Sequence, residues 1–186
     1  MALYTGKGDD GTTKTFGCDQ RISKSSAIAE ALGVLDEVNS FLGIVKVKSK
    51  ESDFKLGEIS FENIVHILQE NLFTTQAELA GADKHISADK VKEMEGWIAL
   101  VEQELPPIKT FFISGGTELG ASFDFARTLA RRAERGVVAV AESEKETGLP
   151  APDTLRFLNR LSSVLYALAR LSNHRGGIKE TPPSYN

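Results

Sequence analysis

The sequence predicts an all-α fold: a bundle of five helices with a glycine-rich loop at its N-terminus. Three observations carry that reading. Apolar residues recur at spacings of three and four over several long stretches. No segment holds a convincing strand run, and the connections between the helical stretches are short. Helices with one apolar stripe each bury those stripes against one another, which gives a bundle.

Residues 1–26 are polar and rich in glycine, serine and threonine, so they read as a loop that is ordered or becomes ordered by a ligand. From Ala27 to Val47, Ile28, Ala31, Leu32, Leu35, Val38, Leu42 and Val45 form one stripe, with Ser25 or Ser26 available as the cap. Lys48–Gly57 is charged and breaks the period, which predicts a loop. A second helix is expected over about 60–81, with Ile64, Ile67, Leu68, Leu72 and Leu79 inward. A third is expected over about 88–105, stopped by Pro106-Pro107. "TFFISGG", Thr110 to Gly116, is a short extended apolar piece ending in a glycine turn. A fourth helix, roughly Thr117 to Thr147, is dense in good helix formers and is ended by Gly148-Leu149-Pro150. A fifth runs from Thr154 to about His174, and the tail, "RGGIKETPPSYN", looks unpacked.

The 186 residues fit one well-filled core, so residues 1–186 are expected to form a single domain. A net charge of −4 argues against a general nucleic-acid binder, whose affinity comes largely from phosphate neutralisation. The one cysteine, Cys18, excludes an intramolecular disulfide and a cysteine metal cluster, and fits a reducing compartment. The N-terminus lacks an apolar signal core, and no window approaches about 18 uninterrupted apolar residues. We expect a cytoplasmic protein without a membrane partner.

Gly6-Lys7-Gly8-Asp9-Asp10-Gly11 spells G-x-G-x-x-G, but a dinucleotide-binding turn must follow a strand and open a helix. Here only five residues precede Gly6, and "TTKTFG" behind Gly11 is no helix. The lysine of a P-loop is missing after Gly11 as well. The glycines still permit converging backbone N–H groups, the geometry of an anion nest, while Thr5, Thr12, Thr13, Lys7, Lys14, Arg21 and Lys24 add donors and charge. The competing reading is a turn-rich N-terminal segment with no ligand.

On the fourth helix Arg127, Arg131 and Glu134 share one face at the border of the apolar stripe, while Arg132 points elsewhere. Such a face either grips polyphosphate or is a solvated surface with Glu134 satisfying one arginine. Asp36 and Asn39, three apart on the first helix, either need a cation nearby, with an arginine of the fourth helix the obvious candidate, or lie on an exposed polar stripe. Asn159, Ser162, Ser163 and Tyr166 fall within two turns, where such side chains often bond the preceding turn. His66, His85 and His174 have no ligand spacing, so no protein metal site is expected. A magnesium ion carried by a phosphate ligand needs no such cage.

The stretches "YTGKGDDGTT", "RISK", "GVLDEVNSFLG", "FFISGG", "RTLARRAER" and "LNRLSSVLYALAR" together resemble the PduO-type ATP:cob(I)alamin adenosyltransferases. They stand in the family's order between residue 4 and about residue 171. Residues 49–109 add only helical pattern and length. The resemblance implies transfer of the 5′-deoxyadenosyl group of ATP to the cobalt of a reduced corrinoid, with triphosphate released. It implies a homotrimer with ATP between adjacent subunits. Thr5, Gly6, Lys7, Gly8, Thr13, Lys24, Arg131, Glu134, Arg135 and Asn159 would hold ATP and its magnesium. Asp36 and Arg127 would form a helix-to-helix pair beneath the corrinoid, and Phe111 would pack on its lower face and exclude an axial ligand. A reductase and an adenosylcobalamin-dependent enzyme are the further partners implied. Two departures stand out: Ser163 where many members carry Asp, and a segment from Gly17 to Arg21 longer than the usual G-x-R spelling, although the R-x-x-K spacing to Lys24 survives. Ser163 keeps open a non-catalytic sensor or carrier of ATP or corrinoid on the same bundle.

Overall fold

The computed structural model describes residues 3–16, 20–143 and 148–185. Cys18 and the last residues expected of the fourth helix, 144–147, lie outside the described residues. Five helices make up the bundle: α1 (Ala27–Ser52), α2 (Phe61–Leu79), α3 (Ala88–Glu104), α4 (Glu118–Ser143) and α5 (Pro152–Arg175). Two small antiparallel hairpins accompany them, β1–β2 (Thr12–Lys14 with Arg21–Ser23) and β3–β4 (Lys55–Leu56 with Ile59–Ser60). The expectation of no strands is thus corrected. Strands of two or three residues are too short to show a period-two pattern in sequence.

α4 is the central member, packing on both α1 and α5, while α2 covers α1 and α3 covers α5. The stripes meet in one core whose fully buried members include Leu35, Leu42, Leu68, Phe123, Ala130, Phe157 and Leu165. Alanines on α4 and Gly136 let the axes approach closely. A Cβ on Gly136 would stand 3.4 Å from Val34 Cγ2 of α1.

The boundaries follow local chemistry. Ser26 caps α1 by accepting from the Ala29 N–H, and Ser60 caps α2 by accepting from the Asn63 N–H. α1 does not stop at Val47 as expected but runs on to Ser52, correcting the predicted loop. Its last turns keep Ser49 buried on the inner side, and Lys48 on the outer side pairs with Glu118 at the start of α4. α5 borrows its cap. Glu78 of α2, fully buried, accepts from the Ala151 N–H at 2.7 Å and from the Thr154 hydroxyl at 2.5 Å. A carboxylate suits the positive end of a helix dipole.

The tail is also corrected. Although mostly exposed, it turns back along α5, where Glu180 pairs with Arg170 and the Thr181 carbonyl accepts from the Ile113 N–H at 2.9 Å.

Candidate active site

The glycine-rich segment is built as a cradle from within. Gly6 and Gly11 take left-handed φ values of 66° and 79°, and successive turns close from the Asp9 N–H to the Gly6 carbonyl and from the Gly11 N–H to the Gly8 carbonyl, each at 3.2 Å. The Lys24 ammonium donates to the Gly8 carbonyl at 2.8 Å, and a Cβ at Gly8 would stand 3.0 Å from that nitrogen. Arg21 ties the turn to the hairpin. It donates to the Lys7 carbonyl, to the Thr12 hydroxyl and to the Thr12 carbonyl, with Asp10 at 3.7 Å. The Thr12 hydroxyl and N–H hold the Asp10 carboxyl below the usual carboxylate range. Thr12 is therefore committed to internal bonds. Thr5 and Lys7 are exposed, and Thr13, on the other side of the strand, makes no side-chain bond among the described residues.

A cleft of about 700 Å³ opens between the 108–115 segment, α4 and α5. Phe111, Arg127, Arg131, Ser163 and Tyr166 line it, and Phe111 is 77% exposed at its mouth. A ring that apolar, left in solvent, is available to pack on a ligand. A second cleft, of about 760 Å³ along α3, shares Ile108, Ser163, Tyr166 and Arg170 with the first, so the opening continues toward that helix. Arg127 Nε donates to Asp124 Oδ1 at 2.6 Å, and its guanidinium lies 5.8 Å from the Tyr166 ring centroid. Burial pushes the Tyr166 hydroxyl above its ordinary pKa, so it stays a neutral donor. Arg131 and Arg135 are exposed and make no hydrogen bond or ion pair among the described residues. Asn159 donates to Glu134 Oε1 at 2.9 Å, joining α5 to α4. The Ser163 hydroxyl lies 3.5 Å from the Asn159 carbonyl of the preceding turn, a weak bond.

One expected pair does not form within a single chain. Arg127 does not pair with Asp36, because Asp124, three residues back on its own helix, takes it. Asp36 is exposed and has no partner among the described residues; besides Lys48–Glu118, the α1–α4 ion pair that forms joins its neighbour Glu37 to Arg132. Nor does any hydrogen bond or ion pair join Thr5, Lys7, Gly8 or Lys24 to Arg131, Glu134, Arg135 or Asn159. The cradle and the arginine face are thus not bonded to each other within a single chain. Four residues escaped sequence reasoning altogether or were left without a role: Arg21, Asp124, Arg170 and Asn173. The one signal for the last two was polar side chains three apart in a stripe of leucines, Leu165, Leu168 and Leu171.

The chain is similar to known proteins in both sequence and fold. The family model described as cobalamin adenosyltransferase matches residues 3–172. The corrinoid adenosyltransferase PduO of Citrobacter freundii is 36% identical over 182 residues, covering 94% of this chain and 50% of that protein. The corrinoid adenosyltransferase of Bacillus subtilis is 36% identical over 187 residues, covering 96% of this chain and 90% of that one. The chain thus spans about half the length of the PduO relatives and most of the length of the Bacillus protein. Among solved structures, a variant PduO-type ATP:corrinoid adenosyltransferase from Lactobacillus reuteri complexed with cobalamin and ATP superposes with a TM-score of 0.84 at 28% identity, over 99% of this chain and 97% of that one. Another variant of that type, from the same organism and complexed with ATP, gives 0.85 over 98% and 100%. With the fold, the cradle and the family match all covering the same stretch, the chain belongs to the cobalamin adenosyltransferase family.

Proposed function

We propose that the chain transfers the 5′-deoxyadenosyl group of ATP to the cobalt of a reduced corrinoid, releasing triphosphate. The observation that carries this reading is the exposed Phe111 ring at the mouth of a cleft whose opposite wall holds Arg127 and the unpaired Arg131. Curated relatives 36% identical to this chain are corrinoid adenosyltransferases, and one similar solved structure is complexed with cobalamin and ATP and another with ATP.

The chemistry needs little from acid or base. Co(I) is a strong nucleophile: its electron pair attacks C5′ of ATP, the C5′–O bond breaks, and the pair of that bond leaves on triphosphate. The protein must hold the two reactants in line and stabilise the leaving charge. Lys24 and the N–H groups of the preformed turn suit the phosphates, and Arg131 and Arg135 supply unpaired guanidinium forks. Phe111 suits the lower face of the corrinoid, where an apolar ring excludes an axial ligand and so eases reduction of Co(II).

Magnesium fits as a passenger of the phosphates. Among the described residues no group of three or more His, Cys, Asp or Glu comes together to cage a metal. Glu134, oriented by Asn159, is the carboxylate that would reach a phosphate-bound ion beside the arginine face.

The assembly we propose is a homotrimer with ATP between subunits. What supports it is that cradle and arginine face are not bonded to each other within one chain, together with the exposed Asp36, which suits the Arg127 nitrogens that Asp124 does not take in a neighbour. No described helix is long and apolar enough to cross a membrane, and with a single cysteine we assign the protein to the cytoplasm. A reductase and an adenosylcobalamin-dependent enzyme would supply its electron and take its product.

The test is anaerobic: purified protein, chemically reduced cob(I)alamin and Mg-ATP, following the Co(I) absorbance and the light sensitivity of the product. ATP-dependent formation of a light-sensitive adenosyl product supports the enzyme and makes Ser163 a tolerated change. Binding of ATP or corrinoid without that conversion would instead favour a sensor or carrier.

A further inference from the structure

The segment that carries Phe111 has no helix or strand to fix its ring. Two buried polar residues of α5, both at the wall of the same cleft, do that work. Arg170 and Asn173 stand one turn apart, each only 6% exposed. Arg170 Nε donates to Glu180 Oε2 of the returning tail at 2.9 Å, and its guanidinium lies 5.0 Å from the ring centroid of Phe112, the neighbour of Phe111. Asn173 Nδ2 donates to the Gly115 carbonyl at 2.9 Å, and its Oδ1 accepts from the Thr117 N–H at 2.9 Å and hydroxyl at 3.1 Å. The same Nδ2 lies 3.5 Å from Glu180 Oε1. The tail then returns to the segment through the Ile113 N–H and the Thr181 carbonyl.

This arrangement asks for more than stability. The side chains of Arg170 and Glu180 are 7% and 16% exposed, and a pair so placed is often no more stabilising than packed apolar residues. The neighbouring helix positions Leu168 and Leu171 show that apolar side chains fit this part of α5. The glycines of "FFISGG" serve the same contacts. Gly116 sits at φ 105°, and a Cβ there would overlap Asn173 Oδ1.

We propose that Arg170, acting through Phe112 and Glu180, is the positioning residue that sets where Phe111 stands over the cleft. Asn173 anchors the far end of the segment at Gly115 and Thr117. Arg170 anchors its near end twice, directly by the stack on Phe112 and indirectly through Glu180 and the returning tail that bonds Ile113. Exclusion of an axial ligand depends on ring position to within a fraction of a ligand's width, so a segment held at one end would admit the ligand even with Phe111 present. The inference rests on the adenosyl-transfer reading above and deepens it.

The test uses the full chain as wild type, Glu180→Ala and Arg170→Lys, with Phe111→Ala as the reference. Glu180→Ala alters a residue outside the helices but removes the partner of Arg170, so its fold is checked by a thermal melt; Arg170→Lys keeps the charge but loses the planar face that stacks on Phe112. Turnover is measured from pre-reduced cob(I)alamin and from cob(II)alamin plus reductant. Electron paramagnetic resonance of bound cob(II)alamin with Mg-ATP reads the axial ligand directly. Both variants should lose about tenfold more in the Co(II)-starting reaction than in the Co(I)-starting one, and should restore the axial-ligand signal, in the direction of Phe111→Ala. Equal losses in both reactions, or an unchanged resonance spectrum, would overturn the assignment and leave Arg170 a structural residue. A wild-type chain that makes no adenosyl product from cob(I)alamin sinks the underlying reading and this assignment with it, and that failure is visible in the control alone.

Discussion

Arg127 and Arg131 stand one turn apart on α4 and line the same cleft, yet their surroundings differ. Arg127 is held by Asp124 and lies beside Tyr166, whereas Arg131 is exposed and has no partner among the described residues. A solvated, unpaired guanidinium contributes little to folding and is free to meet polyphosphate. Arg131→Ala should therefore lower turnover by about a hundredfold, the scale of one lost charge-stabilising donor, with an unchanged urea midpoint. Wild-type turnover at saturating ATP would remove Arg131 from the site. Arg21 is the opposite kind of residue. It spends its donors on the Lys7 and Thr12 carbonyls and the Thr12 hydroxyl, so its role is to hold the cradle in shape. Arg21→Ala should raise the KM for ATP by about tenfold or more through misplaced donors, while a titration showing wild-type KM would make the cradle self-supporting.

At the scale of elements, α5 begins with Pro152 and lacks a side-chain cap of its own, so Glu78 of α2 satisfies its start. That carboxylate is fully buried and bonded to both the Ala151 N–H and the Thr154 hydroxyl. Glu78→Ala leaves those donors unsatisfied in the core and should cost about 1–3 kcal/mol, read from the shift of the urea unfolding curve. A loss within error would mean that water replaces the carboxylate. Because α5 carries Tyr166, Arg170 and Asn173, the same cap also sets the register of one wall of the cleft.

Across the whole molecule, Arg175 at the end of α5 gathers three elements. It grips Glu104 of α3 with two donors, at 2.8 and 2.7 Å, donates to the Lys55 carbonyl of β3, and lies 5.7 Å from the Phe61 ring of α2. The Arg175 guanidinium, donating to it, holds the Glu104 carboxyl below its ordinary value of 4.5. A lowered carboxylate pKa adds stability that is complete well above pH 4.5 and is lost as the pH falls below it. The Glu104 side chain is 36% exposed, so solvent screening keeps the effect at or under about 1 kcal/mol. Thermal melts of wild type and Glu104→Gln should differ at neutral pH and converge on acidification. A gap that persists at low pH would assign the loss to packing instead of charge.

The sequence by itself determined the number and order of the helices, because each carries an apolar stripe of the helical period and stop signals such as Pro106-Pro107 and Gly148-Leu149-Pro150. It also marked Arg127, Arg131 and the glycine cradle, since unusual residue types at fixed spacing survive in one dimension, whereas Phe111 came only from the family resemblance. It misread the end of α1, because Lys48 to Ser52 reads as charged when only one residue per turn, Ser49, needs to face inward. Only the tertiary structure decided which charges meet. Within one chain Asp124, one turn away on the same helix, takes the Arg127 Nε, and Glu37 meets Arg132 because the faces of α1 and α4 align there. Likewise, nothing local foretold that Glu180 would return to Arg170 or that Arg21 would thread the cradle. Helical period is a property of neighbours in the chain. Ion pairs and anchors depend on through-space distances that exist only once the helices have packed.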